Sequence, residues 1–216
     1  MSLGKRLIST GAGDAVCNTE SVQPFGADST YSSNIALYQF EDNANDTTGN
    51  YNGTASNVTY ASGYINNAAV FNGSSSVFDT NLSVPTNWTV SLWLKRTPNG
   101  YFGGTTNSSV RSGVYFYANS NGKIQVNNRN SSGGNIDSLS TSTGLVTEGN
   151  WHHIAITFDS TSGTGLTTVY IDGVNEGTLD GTPTHSTDFK FGRSGDYAVE
   201  YFNGSIDQIR IFNKSL

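Results

Sequence analysis

From Ile35 to the C-terminus, short apolar runs alternate with Asn, Gly and Ser turns at roughly ten-residue spacing, a pattern that β-sandwiches and barrels share. No segment of about twelve residues carries an apolar stripe at helical spacing, so no α-helix is expected. Strands are expected at 35–40, 68–71, 77–79, 89–96, 110–118, 123–128, 151–159, 167–171, 189–191 and 204–213. Asn121-Gly122 and Asp172-Gly173 read as two-residue hairpin turns, in which both positions need positive φ.

Composition narrows the class. Gly, Ser, Thr and Asn make up nearly half of the 216 residues, and only 13% are charged, against about a quarter in ordinary soluble domains. A helical bundle needs the Ala, Glu, Lys, Leu and Arg that are scarce here, and collagen needs regular Gly with far more Pro than the 4 present. An aromatic share of 12% and a net charge of only -6 argue against disorder. The expectation is an all-β chain with one domain over residues 34–216. Residues 1–33 lack periodicity and read as an arm or linker.

The same numbers bound the partners. An acidic chain without a basic stripe does not suit nucleic acid, whose phosphates are met by clustered Lys and Arg. The single Cys17 excludes an intrachain disulfide framework and CxxC metal sites. No apolar stretch is long enough for a membrane span, and no apolar h-region follows Lys5 and Arg6, so no signal peptide is expected. Asn-x-Ser/Thr triplets at Asn45, Asn52, Asn57, Asn72, Asn81, Asn87, Asn107, Asn130, Asn203 and Asn213 are read as turn chemistry, with glycosylation the lesser reading. Such a chain fits an outward-facing surface reached by a route other than a cleaved signal, a virus particle among them.

Strand alternation assigns sides. Val90, Leu92 and Leu94 go inward and leave Trp93 outward. Val114, Phe116 and Ala118 go in, so Tyr115 and Tyr117 go out. Ile124 and Val126 go in, which exposes Gln125, Asn127 and then Arg129. Ile154, Ile156 and Phe158 go in and His153 comes out. One outer sheet face is thus expected to carry Trp93, Tyr115, Tyr117, Gln125, Asn127, Arg129 and His153. Rings interleaved with amides and a guanidinium suit a sugar, whose C–H faces stack on aromatics while its hydroxyls take planar donors and acceptors. The alternative is that loops, the arm or a sister subunit covers this face.

The ordered motifs resemble laminin-G-like domains of the concanavalin-A-like lectin/glucanase superfamily. They are Ala36-Leu37-Tyr38-Gln39-Phe40-Glu41, the Asn45–Thr54 loop, Asn67-Ala68-Ala69-Val70-Phe71-Asn72-Gly73-Ser74 and Trp88-Thr89-Val90-Ser91-Leu92-Trp93-Leu94-Lys95. Trp151–Asp159, Val169-Tyr170-Ile171-Asp172-Gly173 and Tyr201–Asn213 follow in order. The resemblance covers residues 35–216 and implies a jelly-roll sandwich of two antiparallel sheets with a concave face. It also implies a range of roles, from adhesion and carbohydrate-binding modules to pentraxin-type lectins and parts of virus particles. Residues 2–11 resemble the leader of virion-associated proteins of marine tailed phages.

Catalysis is not expected. Retaining glycoside hydrolysis needs two carboxyls about 5 Å apart, and none of the five Glu, at 20, 41, 148, 176 and 200, forms a Glu-x-Asp-x-Glu strand. His152 and His153 are adjacent on a strand and face opposite sides, no Gly-x-Ser-x-Gly elbow is present, and His185 reads as a solvated loop residue. The resemblance further implies a structural Ca²⁺ on the side away from the sugar groove, with Asp207 as its ligand and Glu41 and Asp46 in the loop nearby. The other reading of Asp46 is an Asx-turn with Thr48. Two functions remain: a non-catalytic glycan-binding or adhesion module displayed on a virus particle or similar surface, and a structural virion protein. In the second, the outer face is a subunit interface of a homo-oligomer and residues 1–33 dock on the particle.

Overall fold

The computed structural model describes residues 34–185 and 187–216, so the expected arm lies outside the described residues. Fifteen strands follow in chain order: β1 (Asn34–Tyr38), β2 (Thr54–Ser56), β3 (Thr59–Ser62), β4 (Asn67–Asn72) and β5 (Val77–Asp79). They continue as β6 (Trp88–Arg96), β7 (Gly100–Gly104), β8 (Gly113–Ala118), β9 (Ile124–Arg129) and β10 (Asn135–Ser140). The last are β11 (His152–Asp159), β12 (Leu166–Ile171), β13 (Val174–Asp180), β14 (Lys190–Phe191) and β15 (Asn203–Phe212). No helix occurs among the described residues.

The strands form two antiparallel sheets. One runs β13-β12-β11-β6-β15-β4-β3, with β1 joining the far half of β15 as the eighth strand, and the other runs β10-β9-β8-β7-β14-β5-β2. The alternation places Val90, Leu92, Leu94, Val114, Phe116, Ala118, Ile124, Val126, Ile154, Ile156 and Phe158 inside, and all are buried. Trp88 is the centre of this layer. Its ring meets Phe189 edge-on at 5.3 Å, Phe158 at 5.9 Å and Phe116 at 6.2 Å, so rings from both sheets and the β13–β14 loop converge on one indole.

Two polar groups tie the layers together. Tyr38 is buried, and its hydroxyl lies 2.8 Å from the Tyr51 carbonyl and 3.0 Å from that of Thr80. Asn128 faces inward from β9 in one sheet, and its Nδ2 donates to Thr167 Oγ1 on β12 in the other at 3.1 Å and to the Gly181 carbonyl at 2.9 Å. A buried amide is tolerated only with its partners in place.

Turn chemistry accounts for many of the Asn residues. Asn72 Oδ1 accepts from the N–H groups of Ser74, Ser75 and Ser76, Asn130 Oδ1 from Ser132 and Gly134, and Asn87 Oδ1 from Ser160. Asp172 and Gly173 both have positive φ, at 50° and 84°, as their two-residue hairpin requires. The other expected hairpin is different: only Gly122 has positive φ, because the connection spans residues 119–123 and closes with Asn119 N–H donating to the Lys123 carbonyl.

Five strands were not expected from the pattern: β2, β3, β7, β10 and β13. Four of them are sheet edges or lie beside one, and are largely exposed and polar, as edge strands commonly are. The fifth, β7, is interior but Gly-rich. A Cβ at Gly100 would lie 2.6 Å from the Tyr201 carbonyl oxygen and one at Gly103 would lie 2.9 Å from the Phe191 ring, so close packing explains the glycines.

Asn128→Ala leaves Thr167 Oγ1 and the Gly181 carbonyl without their inter-sheet donor and should cost about 1–3 kcal/mol. Urea unfolding monitored by tryptophan fluorescence measures this; an unchanged midpoint and slope would show that the tie contributes nothing.

Candidate functional site

Cross-strand partners share a sheet face, and this divides the expected single site in two. Tyr117 pairs with Gln125, Tyr115 with Asn127 and Gly113 with Arg129, all in the seven-stranded sheet. Trp93 pairs with His153 and with Asp207 in the eight-stranded sheet. Trp93 and His153 therefore lie on the opposite outside of the sandwich from the tyrosines. Alternation gives the side within each strand but not the sheet to which the strand belongs.

On the seven-stranded face the tyrosines interlock. Tyr101, from β7, meets Tyr115 at 5.1 Å and Tyr117 at 4.8 Å, both edge-on. Burial, reinforced by Tyr115, Glu200 and Tyr197, pushes the Tyr101 hydroxyl up to about 12, so it remains a hydrogen-bond donor at neutral pH. Burial also raises Tyr117, whose hydroxyl accepts from Asn99 Nδ2 at 2.8 Å. Gln125 is half-buried beside Tyr117, whereas Asn127 is only 6% exposed and is part of the floor. The Arg129 guanidinium stands 5.3 Å from the Tyr115 ring centre, within cation–π range.

An open cleft at one end of this face is lined by Tyr101, Tyr115, Arg129, Arg111, Ser194 and Tyr197. Its wall is the segment following β14. Asp196 N–H donates to the Thr106 carbonyl at 2.6 Å and Tyr197 N–H to that of Ser194 at 3.0 Å. Gly195 is required for this approach: its φ is 58°, and a Cβ there would lie 2.2 Å from the Thr106 carbonyl oxygen. Asp196 is held by Arg193 at 3.1 Å and Lys190 at 3.7 Å, and Lys190 is also paired with Asp79. Tyr101, Arg111 and Tyr197 were missed in the sequence. The only signal for Tyr101 is its alternation with inward Phe102; Arg111 and Tyr197 lie in loops and carry none.

On the other face the aromatics pack on one another and leave Trp93 half-buried. Tyr64 stacks on Trp93 at 3.5 Å and 15°, His153 meets the same indole edge-on at 5.2 Å, and Trp151 lies 6.3 Å from Tyr64 with Lys95 over its ring. His153 also hydrogen-bonds Ser91. The loop bearing Tyr64 is pinned from below. Asp207 is fully buried, its Oδ2 accepts from Ile65 N–H at 2.9 Å, and its Oδ1 has no hydrogen-bond partner among the described residues. A bulge at Gln208, with φ of 51°, turns the strand at this point.

The three expected metal ligands do not converge. Asp46 caps its own loop: Oδ1 accepts from the N–H groups of Leu37 and Thr48, and Oδ2 from those of Asn50 and Tyr51 and from the Thr48 hydroxyl. Burial opposes its ionisation, but these donors hold the carboxyl below the usual range. Donors from its own loop and from Leu37 occupy both of its oxygens. Glu41 instead accepts from Asn66 Nδ2 and Asn67 N–H, on the loop that covers Asp207, and its charge acts on Asp207. A buried carboxylate oxygen without a hydrogen-bond partner among the described residues, with a second carboxylate acting on it, is of the donor type that Ca²⁺ takes. Among the described residues no group of three or more His, Cys, Asp or Glu converges to hold a metal.

The histidines are held by their neighbours. His152 Nδ1 lies 2.8 Å from Asp172 Oδ2, and its Nε2 accepts from Thr147 N–H. His185 corrects the expectation of a solvated residue: it packs edge-on against Trp88 at 6.1 Å and bonds Thr105 Oγ1 through Nδ1.

Residues 72–216 match the Laminin_G_3 family of the concanavalin A-like lectin/glucanases superfamily, and the chain belongs to it. No curated protein matches by sequence. Among solved structures, domain 4 of AbnA, a GH43 extracellular arabinanase from Geobacillus stearothermophilus in complex with arabinotriose, is 24% identical. The match covers 85% of this chain and 94% of that one, with a TM-score of 0.63. The botulinum neurotoxin serotype D ligand binding domain in complex with N-acetylneuraminic acid is 21% identical over 85% of this chain, with a TM-score of 0.64. The match covers 48% of that domain, so this chain spans about half its length. Ruminococcus gnavus IT-sialidase CBM40 bound to alpha2,3 sialyllactose is 16% identical, over 60% of this chain and 77% of that one, with a TM-score of 0.50. At these identities the likeness concerns the jelly-roll fold.

Two buried groups give opposing pH dependences. Burial, with Glu41 adding to it, pushes Asp207 up to about 6, against backbone donors from Ile65, Gln208 and Tyr64. The fold holds that proton more tightly than the unfolded chain, so stability falls as pH rises from about 4 to about 6. Burial lowers His185 from 6.5 to about 4, so its contribution is present above pH 6.5 and is lost as pH falls towards 4. The two largely cancel in calcium-free buffer. Asp207→Asn removes one of them, and chemical denaturation between pH 6.5 and 4 should then show a steeper loss on acidification than in the parent. Parallel profiles would contradict this assignment.

Proposed function

We propose that the chain is a non-catalytic carbohydrate-binding module whose site is the outer face of the seven-stranded sheet, centred on Tyr101, Tyr115 and Tyr117. The observation that carries this is the interlocked tyrosine cluster opening directly into a cleft. Rings of fixed orientation offer apolar surface to sugar C–H faces, and Gln125, Arg129 and the tyrosine hydroxyls offer planar and directional hydrogen bonds. The arabinotriose, N-acetylneuraminic acid and sialyllactose held by the structurally similar proteins support a saccharide as ligand. Trp93 and His153 belong to the other sheet and are not part of the proposed sugar site.

Substitution separates the two faces. Tyr117→Ala should weaken binding to a saccharide identified on a glycan array by about threefold to tenfold, since an aromatic contact contributes roughly 0.5–1.5 kcal/mol. Trp93→Ala should leave affinity unchanged while lowering the melting temperature. Loss of affinity in Trp93→Ala with none in Tyr117→Ala would place the site on the wrong sheet.

The proposal includes a structural Ca²⁺ held by Asp207, with Glu41 close by. Millimolar Ca²⁺ added after chelator treatment should raise the melting temperature of the parent and leave Asp207→Asn unmoved; equal curves with and without the ion would remove it. Display on a virus particle or similar surface through residues 1–33 belongs to the same reading, supported by the resemblance of residues 2–11.

A further inference from the structure

Resting on the carbohydrate-binding reading, we infer that the cleft selects saccharides that carry a carboxylate, with Arg111 and Arg129 as the carboxylate-binding residues. Both guanidiniums are placed on tyrosine rings of the cleft, Arg111 at 4.3 Å from the Tyr197 centroid and Arg129 at 5.3 Å from that of Tyr115. Ring contact fixes their planes without using their N–H groups. Arg129 uses one donor, from Nη1 to the Gly133 carbonyl at 3.2 Å, while its Nε is buried without a partner among the described residues. A guanidinium carries five donors, so most remain for a ligand.

The local charge favours an anion although the chain is acidic overall. Among the described residues neither arginine forms a salt bridge, and the acid in the adjacent wall, Asp196, is neutralised by Arg193 and Lys190. Glu200 acts on Tyr101 and Tyr117 and is absent from the cleft lining. The position of Arg111 is built in. Asn107 Oδ1 accepts from the N–H groups of Val110 and Arg111, each at 2.8 Å. These bonds hold Arg111 at a φ of 61°, a conformation a non-glycine residue adopts only when its surroundings impose it. Planar, bidentate contact is what an arginine offers a carboxylate. The cleft is shallow and open to solvent, with room for a single functional group between the two arginines. It therefore meets the carboxylate itself, at a chain end or branch, while the sugar rings lie on Tyr101 and Tyr117.

The test is calorimetric binding of the full chain to oligogalacturonides, alginate oligomers and sialyllactose. Methyl-esterified forms of each, neutral arabino-oligosaccharides and dextran sulfate are run alongside. At least one carboxylated saccharide should bind about tenfold or more tightly than its ester, the range for losing a charge-assisted hydrogen bond. Arg111→Gln and Arg129→Gln should each erase that preference, with melting curves confirming the fold; the exposed Arg111 keeps the test valid if Arg129→Gln unfolds. Equal affinity for acid and ester, intact preference in Arg111→Gln, or a preference for dextran sulfate would each overturn the carboxylate assignment. Neutral sugars that bind in a Tyr117-dependent way would then leave the carbohydrate-binding reading standing, whereas no binding to any member would overturn both.

Discussion

Two sheets of amphipathic strands hold together only when each strand turns its apolar side to the other sheet. Here the layer between them is centred on aromatic rings. Trp88 receives Phe116 from one sheet, Phe158 from its own, and Phe189 from the loop before β14. Because side chains alternate strictly along a strand, burying Val114, Phe116 and Ala118 forces Tyr115 and Tyr117 outward, and burying Leu92 and Leu94 does the same to Trp93. The outward placement of these rings is thus a by-product of core packing. A one-residue slip in β8 would bury the tyrosines and expose Phe116.

The two outer faces have nevertheless become different surfaces. On the eight-stranded sheet, Asp207 draws the 63–66 loop down through Ile65 N–H, and Tyr64 closes over Trp93. That indole is spent on holding a loop, with Tyr64 itself 48% exposed above it. On the seven-stranded sheet no such strap crosses the tyrosines among the described residues; the segment around Gly195 stands beside them and makes a wall. One sheet stacks its aromatics on a loop residue and the other packs them edge-on beside a cleft.

Much of the fold was legible because it depends on local periodicity. Ile154, Ile156 and Phe158 could be placed inside from their spacing alone, and Asp172-Gly173 declared its turn through the conformations those residues tolerate. The site was legible only in part. Tyr115, Tyr117, Gln125 and Arg129 were assigned to the correct side because β8 and β9 form a local hairpin. Trp93 and His153 were joined to them wrongly, since which sheet a strand enters is decided by pairings distant in sequence. Tyr101 was hidden by the glycines that let β7 pack against Phe191 and Phe202. Arg111 and Tyr197 come from loops whose positions depend on contacts such as Gly195 against Thr106, and nothing local encodes them. Asp46 and Asp207 look alike in sequence, yet one is enclosed by N–H donors and the other retains a bare oxygen.

The central claim is that saccharide meets the tyrosine face and not the Trp93 face. NMR titration of isotopically labelled protein with the tightest-binding saccharide, read through tyrosine ring and tryptophan indole resonances, tests it directly. The account predicts progressive shifts for Tyr101, Tyr115 and Tyr117, with the Trp93 and Trp151 indoles and the Tyr64 ring stationary. Shifts confined to Trp93, Trp151 and Tyr64 would contradict it.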